Sequence, residues 1–212
     1  MGPAGAGKGT MSEKITDKYG IPHIYSGDMF RAEIAGKTPL GLKAKAYIDA
    51  GELVPDDITI GMVEKRIQQP DCQKGYLLDG FPRTLNQAKA LSELTKRLGI
   101  PLEIILDLRV DFDELSRRVT GRRTCPKCQT IYNIYTLPSK VAGVCDNDGT
   151  KLVQRTDDTE DGLRERLKEY EKQTVPVLEH FKAEGLARVI DAGKDIDEVW
   201  AQVEKVLEGY KK

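Results

Sequence analysis

The chain has 212 residues, long enough for one large domain or one domain carrying insertions, with 33 Lys and Arg against 34 Asp and Glu and a formal net charge of −1. That near balance argues against a general affinity for nucleic acid or a membrane, although local basic clusters can still grip a phosphate. No apolar run approaches membrane-spanning length, and the start lacks the charged and apolar blocks of a signal peptide, so a cytoplasmic location is expected.

The chain opens with Met1-Gly-Pro-Ala-Gly-Ala-Gly-Lys-Gly-Thr10, in which glycines surround one lysine. Glycines let peptide N–H groups turn inward toward phosphate oxygens, Lys8 supplies a mobile charge, and a helix N-terminus adds a favourable dipole. The strict phosphate-loop pattern wants Ser or Thr directly after the lysine; Gly9 intervenes and the hydroxyl comes at Thr10. The helix-like run Met11 to Tyr19 follows at once, which favours a phosphate loop over a glycine-rich tail. Such loops hang from a buried strand, and none precedes Gly2. We read the start as trimmed, or Met1 as an internal methionine of a slightly longer chain, and expect a cost to stability from the missing strand.

Next come a short extended piece, Pro22 to Tyr25, a helical patch, Met29 to Ile34, and helices over Leu42 to Ala50 and Asp57 to Gln69, the latter announced by Pro55. Tyr76 to Asp79 reads as a strand ending in a carboxylate. The cluster Asp79-Gly-Phe-Pro-Arg83 then places an acid where it can hold the waters of a magnesium ion and an arginine that can meet a phosphate bidentately. A plain turn would explain Gly80 and Pro82 equally well, but not the two charges. Helix Leu85 to Leu98 leads to a buried strand, Glu103 to Arg109, and a helix from Asp111 to Thr120 that Gly121 ends.

From Gly121 to Asp158 the pattern changes to a small β-rich insertion too short to build its own core. Cys125-Pro-Lys-Cys128 and Cys145-Asp-Asn-Asp148 form two knuckles sixteen residues apart, close to zinc-ribbon spacing. A disulfide would leave one of these thiols over, so a structural zinc site of three thiolates and a carboxylate is the better reading, with no place for a catalytic water. Cys72 stands apart as an ordinary thiol. Helical spacing returns from Glu160 to Phe181, followed by strand Ala187 to Asp191 and helix Ile196 to Tyr210. This alternation specifies an α/β fold, a three-layer parallel sheet with helices on both faces.

Across essentially the whole length these pieces resemble the adenylate kinases of the long, zinc-lid bacterial type. The matching segments are Gly2 to Thr10, Ser26-Gly-Asp-Met-Phe-Arg31, Gly51-Glu-Leu-Val-Pro55, Asp79 to Arg83 with Gln87, Gly121-Arg-Arg123, the cysteine knuckles, and Arg155 through Arg166. The resemblance implies a core of residues 1–24, 55–120 and 159–212 with the phosphate loop, a helical AMP-binding insertion at 25–54, and a zinc-binding lid at 121–158. The family's first strand, normally central in the sheet, is the one not seen.

Carried over by position, Gly5, Ala6, Gly7, Lys8, Gly9 and Thr10 would cradle the ATP phosphates. Arg122, Ile131, Tyr132 and Lys194, the last through backbone, would also contact ATP. Ser26, Arg31, the Glu52, Leu53 and Val54 backbone, Gly80, Phe81, Pro82, Arg83, Gln87, Arg155 and Arg166 match the AMP site, with Gln87 reading the adenine edge. Lys8, Asp79, Arg83, Arg118, Arg122, Arg155 and Arg166 would be the catalytic set, and Cys125, Cys128, Cys145 and Asp148 the zinc ligands.

The implied reaction is Mg-dependent in-line transfer from ATP to AMP giving two ADP, by a monomer with no nucleic-acid or membrane partner. Facing phosphates from two nucleotides need positive groups from several segments, which the arginines supply. The sequence departs from the family pattern at Tyr25-Ser26, where Ser-Thr is usual, at Met11 in place of a common glutamine, and at Thr156 in place of a frequent aspartate. A kinase for UMP, CMP or GMP, a zinc-ribbon nucleic-acid module, and a nucleotide-binding protein without catalysis are the alternatives. Gln87 and the cysteine lid favour AMP, and the charge balance speaks against the nucleic-acid module.

Overall fold

A computed structural model of the chain describes residues 1–49 and 53–210. Glu52, expected in the acceptor site, Gly51 of the same matching segment, and the Ala50 end of the helix predicted over Leu42 to Ala50 lie outside the described residues.

The first helix, α1 (Lys8–Tyr19), starts where Gly7 turns left-handed at φ 84° and stops at Gly20, again left-handed, whose N–H donates to Thr16. A short strand, β1 (His23–Tyr25), runs straight into α2 (Ser26–Ala35), and a turn leads to α3 (Pro39–Asp49). Both helices begin ahead of their expected starts: Pro39 is pre-shaped for a first turn, and the Thr38 hydroxyl accepts from the Gly41 N–H at 2.9 Å. Gly41 is needed for the close packing of this pair, because a Cβ there would stand 2.1 Å from the Glu33 carbonyl oxygen. Phe30, Ala44 and Val54 bury between α2, α3 and the start of α4 (Asp56–Ile67).

Strand β2 (Leu77–Asp79) pairs in parallel with β1, Tyr25 opposite Asp79. Helix α5 (Leu85–Leu98) is capped by Thr84, which accepts from the Gln87 N–H, and ends at left-handed Gly99. Its buried residues Gln87, Ala88, Leu91, Leu94 and Thr95 follow the three-and-four spacing of a single helical face. Strand β3 (Ile105–Arg109) leads to α6 (Phe112–Gly121), and β6 (Ala187–Asp191) returns parallel to β3 over the length of both strands.

The two parallel pairs are not joined by a strand among the described residues. Beside β3 only Met1 takes up the vacant ladder, its N–H donating to the Leu106 carbonyl and its own carbonyl accepting from Leu108 at 3.0 Å. Helices cover both faces, as the alternation required. Met11, Ile15, Leu108, Leu115, Val119, Ile190, Val199 and Val203 join α1, β3, α6, β6 and α9 (Ile196–Glu208) on one side. Ala88, Ile105, Val177, Leu178 and Phe181 join α5, β3 and α8 (Val175–Ala183) on the other.

Residues 121–158 carry an antiparallel hairpin, β4 (Arg122–Thr124) with β5 (Ile131–Asn133), and isolated bridges Thr124 to Val153 and Val144 to Lys151. Their small core is Cys125, Tyr132, Cys145 and Leu152. The long helical stretch predicted after it is interrupted: α7 (Glu160–Glu169) widens into a π turn, Tyr170–Thr174, before α8. Pro176 explains the widening, since it has no N–H for the carbonyl four residues back and its ring crowds that carbonyl.

Phe181 is fully buried. Phe181→Ala is therefore expected to lower unfolding free energy by about 3–5 kcal/mol, read from urea unfolding.

Candidate phosphate site and cysteine cluster

The glycine loop curls on itself through an Ala6 N–H to Pro3 carbonyl bond of 3.2 Å, with Gly5 at φ 86° and Gly7 at φ 84°. Gly7 offers no side chain to cap α1, so the first N–H groups of that helix remain open to an anion. Lys8 Nζ donates to the Gly2 and Pro3 carbonyls, each at 2.9 Å. Burial pushes its ammonium down to about 8; Asp79 opposes this, whereas Arg83, Arg122 and Arg166 push the same way. One loop lysine, one acid and three arginines from separate segments thus share an electrostatic field. Gly9 and Thr10 lie exposed at the helix start.

Asp79 is buried at the end of β2, and burial alone would raise its carboxyl. His23, whose Nε2 lies 3.4 Å from Asp79 Oδ2 without meeting hydrogen-bond geometry, and the Lys8 charge outweigh that and hold it below the usual range. An ionised carboxylate at this position fits a magnesium ligand or a ligand of its waters. His23 escaped the sequence reading, because only the β1–β2 register brings it to this acid.

On the opposite wall, the Ser26 hydroxyl donates to the Gly80 carbonyl at 3.0 Å and Arg83 Nε donates to the same oxygen at 2.8 Å. Gly80 is left-handed at φ 75°, and the Phe81–Pro82 peptide is cis with both residues buried. Gln87 is buried with its amide committed at both ends: Oε1 accepts from the Arg83 N–H at 2.7 Å, and Nε2 donates to Asp56 at 2.7 Å. Asp56 also accepts from Thr84 and Asn86, each at 2.9 Å, and so organises the whole corner. Nothing in the sequence marked Asp56 beyond its place in the first turn of a helix. Arg31 is exposed, paired with Asp28, and lies over the Tyr25 ring. Leu53 is half-buried, and Val54 is buried while its carbonyl accepts from the Thr59 hydroxyl at 3.4 Å.

At the two ends of the 121–158 segment, Arg122 forms a two-pronged pair with fully buried Asp158, Nε to Oδ2 being 2.8 Å. Burial would lower the Arg122 guanidinium, but Asp158 more than compensates and raises it. Arg166 reaches Asp157 at 3.0 Å and Asp158 at 3.5 Å. Arg155, near the C-terminal end of that segment, is exposed, with no side-chain partner among the described residues. Arg118 is held by Glu114 at 2.7 Å and by the Ala192 and Lys194 carbonyls at 2.8 and 3.4 Å. Ile131 is exposed, whereas Tyr132 turns inward: its hydroxyl accepts from the Asp146 N–H at 2.8 Å and lies 3.5 Å from Cys145 Sγ.

The ligand atoms of Cys125, Cys128, Cys145 and Asp148 all lie within 4.8 Å of one another. Every cysteine is free, with Cys128 and Cys145 sulfurs 3.5 Å apart, so the disulfide alternative is not adopted. Cys125 Sγ accepts from the Cys128 N–H at 3.4 Å, and the Thr150 N–H donates to Asp148 at 3.0 Å, holding that carboxyl well below the usual range. Three sulfurs and one oxygen gathered from two knuckles suit a closed tetrahedral site for a thiophilic divalent ion.

Comparison with known proteins gives a consistent result. The family model described as adenylate kinase matches residues 1–186. The chain is 49% identical to a protein named adenylate kinase from Bacillus subtilis (strain 168) over 212 residues, covering 100% of this chain and 98% of that one. It is 51% identical to one from Carboxydothermus hydrogenoformans, covering 98% and 97%. It is 46% identical to one from Archaeoglobus fulgidus, covering 100% and 97%.

Because the folded protein holds Lys8 at about 8, below its ordinary 10.5, the unfolded chain binds more protons between these values. Stability of the ligand-free protein should accordingly rise with pH across that window, by at most about 3 kcal/mol from this group. The check is urea unfolding at several pH values against Lys8→Met, which should lack this component.

Proposed function

The chain belongs to the adenylate kinase family and is a nucleoside monophosphate kinase that transfers a phosphoryl group between ATP and AMP; from that premise we propose how its residues divide the work. The observation that carries the proposal is the shared electrostatic field at Lys8, to which Asp79, Arg83, Arg122 and Arg166 all contribute.

In this reading Gly5 to Thr10 hold the donor phosphates through backbone N–H groups. Lys8 exchanges the Gly2 and Pro3 carbonyls for phosphate oxygens and follows the transferred group. Ser26, Arg31, Leu53, Val54, Gly80 to Arg83 and Gln87 receive AMP, with Glu52 assigned by position. To read an adenine edge, Gln87 has one Nε2 N–H and one Oε1 lone pair beyond those that Asp56 and the Arg83 N–H engage. Arg118, Arg122, Arg155 and Arg166 gather the phosphates of both nucleotides in line.

An oxygen of the AMP phosphate then bonds to the γ-phosphorus of ATP as the bond to the β–γ bridging oxygen breaks, and the electron pair leaves on ADP. No covalent enzyme intermediate is required. Asp79 is the residue that would hold magnesium or its waters, and the ion, when bound with ATP, would neutralise charge on the donor phosphates. Arginines fixed in a dry site stabilise the charge spread over the transferring group, and a closed lid excludes hydrolysis by water.

The same proposal assigns 1–24, 55–120 and 159–212 to the core, 25–54 to AMP binding and 121–158 to the lid. Ile131 faces outward and could meet the donor by side chain; Tyr132 and Lys194 would do so through backbone. Cys125, Cys128, Cys145 and Asp148 would hold a structural zinc that keeps Arg122 and Arg155 at fixed hinges. A monomer in the cytoplasm completes the reading. No helix among the described residues is long and apolar enough to cross a membrane.

Purified protein with ATP and magnesium should form ADP with AMP and not with GMP, CMP or UMP; preference for another acceptor, or none turned over, would overturn the assignment. Chelation followed by metal analysis should lower the melting temperature by roughly 5 °C or more while leaving residual activity at low temperature. Unchanged melting after verified metal loss would remove zinc's structural role.

A further inference from the structure

Tyr25 ends β1 opposite Asp79 and stands immediately before α2. Its ring lies against two glycines. A Cβ on Gly27 would be 2.8 Å from Tyr25 Cζ and 2.9 Å from its hydroxyl oxygen, and one on Gly80 would be 3.3 Å from Cε2. The phenol therefore fills the space between the start of α2 and the loop after β2, where Ser26 Oγ and Arg83 Nη2 also crowd the Gly80 position at 2.8 and 3.1 Å.

Arg31 lies over the ring, its guanidinium carbon 5.2 Å from the centroid. The His23 imidazole also neighbours it, the two rings near parallel at 17° with centroids 6.2 Å apart. Successive neighbours thus lead from Asp79 through His23 and Tyr25 to Arg31. The only other restraint on Arg31 among the described residues is its pair with Asp28, two exposed side chains three residues apart on one helix. Such a pair is weak and competes with a bound phosphate for the same guanidinium. An aromatic face attracts the cation without using its N–H donors, so it can hold Arg31 in place while leaving those donors for a ligand.

We propose that Tyr25 is a positioning residue of the acceptor subsite: its ring is the platform that keeps Arg31 turned toward the acceptor phosphate and spaced from Arg83. This rests on the assignment of AMP to that wall. A serine or threonine at this position would leave Arg31 to Asp28 and solvent. A bulky residue is tolerated because positions 27 and 80 are both glycine.

The test measures AMP and ATP dissociation constants by calorimetry, with KM and kcat by steady-state assay, for the parent, Tyr25→Leu, Tyr25→Phe, Arg31→Ala and the double variant Tyr25→Leu/Arg31→Ala. Leucine keeps apolar bulk without the aromatic face. Expected are a five- to tenfold weaker AMP affinity and higher AMP KM for Tyr25→Leu, with kcat and ATP affinity within twofold. Tyr25→Phe should recover AMP affinity to within twofold of the parent, and Tyr25→Leu should add nothing in the Arg31→Ala background. AMP affinity unaltered in Tyr25→Leu, or an equal loss in both backgrounds, would overturn the platform role while leaving the acceptor assignment standing. A parent that binds no AMP would overturn the acceptor assignment and the platform role together.

Discussion

Collecting four cations around one loop creates repulsion before it creates a binding site, and the rest of the structure is arranged to contain it. Lys8 is held by two carbonyls and loses part of its hold on its proton. Arg83 is tied to the Gly80 carbonyl, Arg122 to Asp158, and Arg166 to Asp157 and Asp158. These partners are graded: a carbonyl is a mild one, whereas buried Asp158 is strong, and breaking such a pair without replacement typically costs about 3–5 kcal/mol. Lys8 and Arg83 are therefore released from their partners more readily than Arg122.

The segment that carries Arg122 has little else to hold it. Its core is four side chains, two of them cysteines of the metal-ligating set. Tyr132 is drawn inward to the Cys145 sulfur and the Asp146 amide, which leaves neighbouring Ile131 outward on the same strand by simple alternation. Packing against the cysteine cluster thus decides which face of the hairpin is turned outward. Arg122 and the sulfurs are linked through β4, whose first residue is Arg122 and whose last directly precedes Cys125.

Much of this was legible in the residues. Elements with strong local signals, α5, β3 and β6, lie where the patterns put them: the buried face of α5 repeats over several turns, and β3 and β6 are short apolar-centred runs that pair with each other along their length. The glycine loop and the cysteine knuckles were equally plain, since each states its chemistry in consecutive positions. What escaped depends on packing between distant segments. Asp56 looks like any first-turn acid, yet it binds three side chains of the α5 start. His23 acquires meaning only through strand register. Pro176 was visible, but whether a proline ends a helix or widens it depends on what holds the two sides, and here both sides stay packed.

That widened turn gives one helical run two distant contacts. Helix α7 begins just after the 121–158 segment, where Thr159 caps it and Arg166 reaches back to Asp157. Five residues of π turn later, the Thr174 hydroxyl donates to the Arg83 carbonyl at 3.1 Å. One helical rod therefore touches the end of the cysteine-bearing segment at its first turn and the loop after β2 at its bulge. A rotation at one end that preserves these bonds must carry the other with it, so the fold holds a mechanical linkage between those two places.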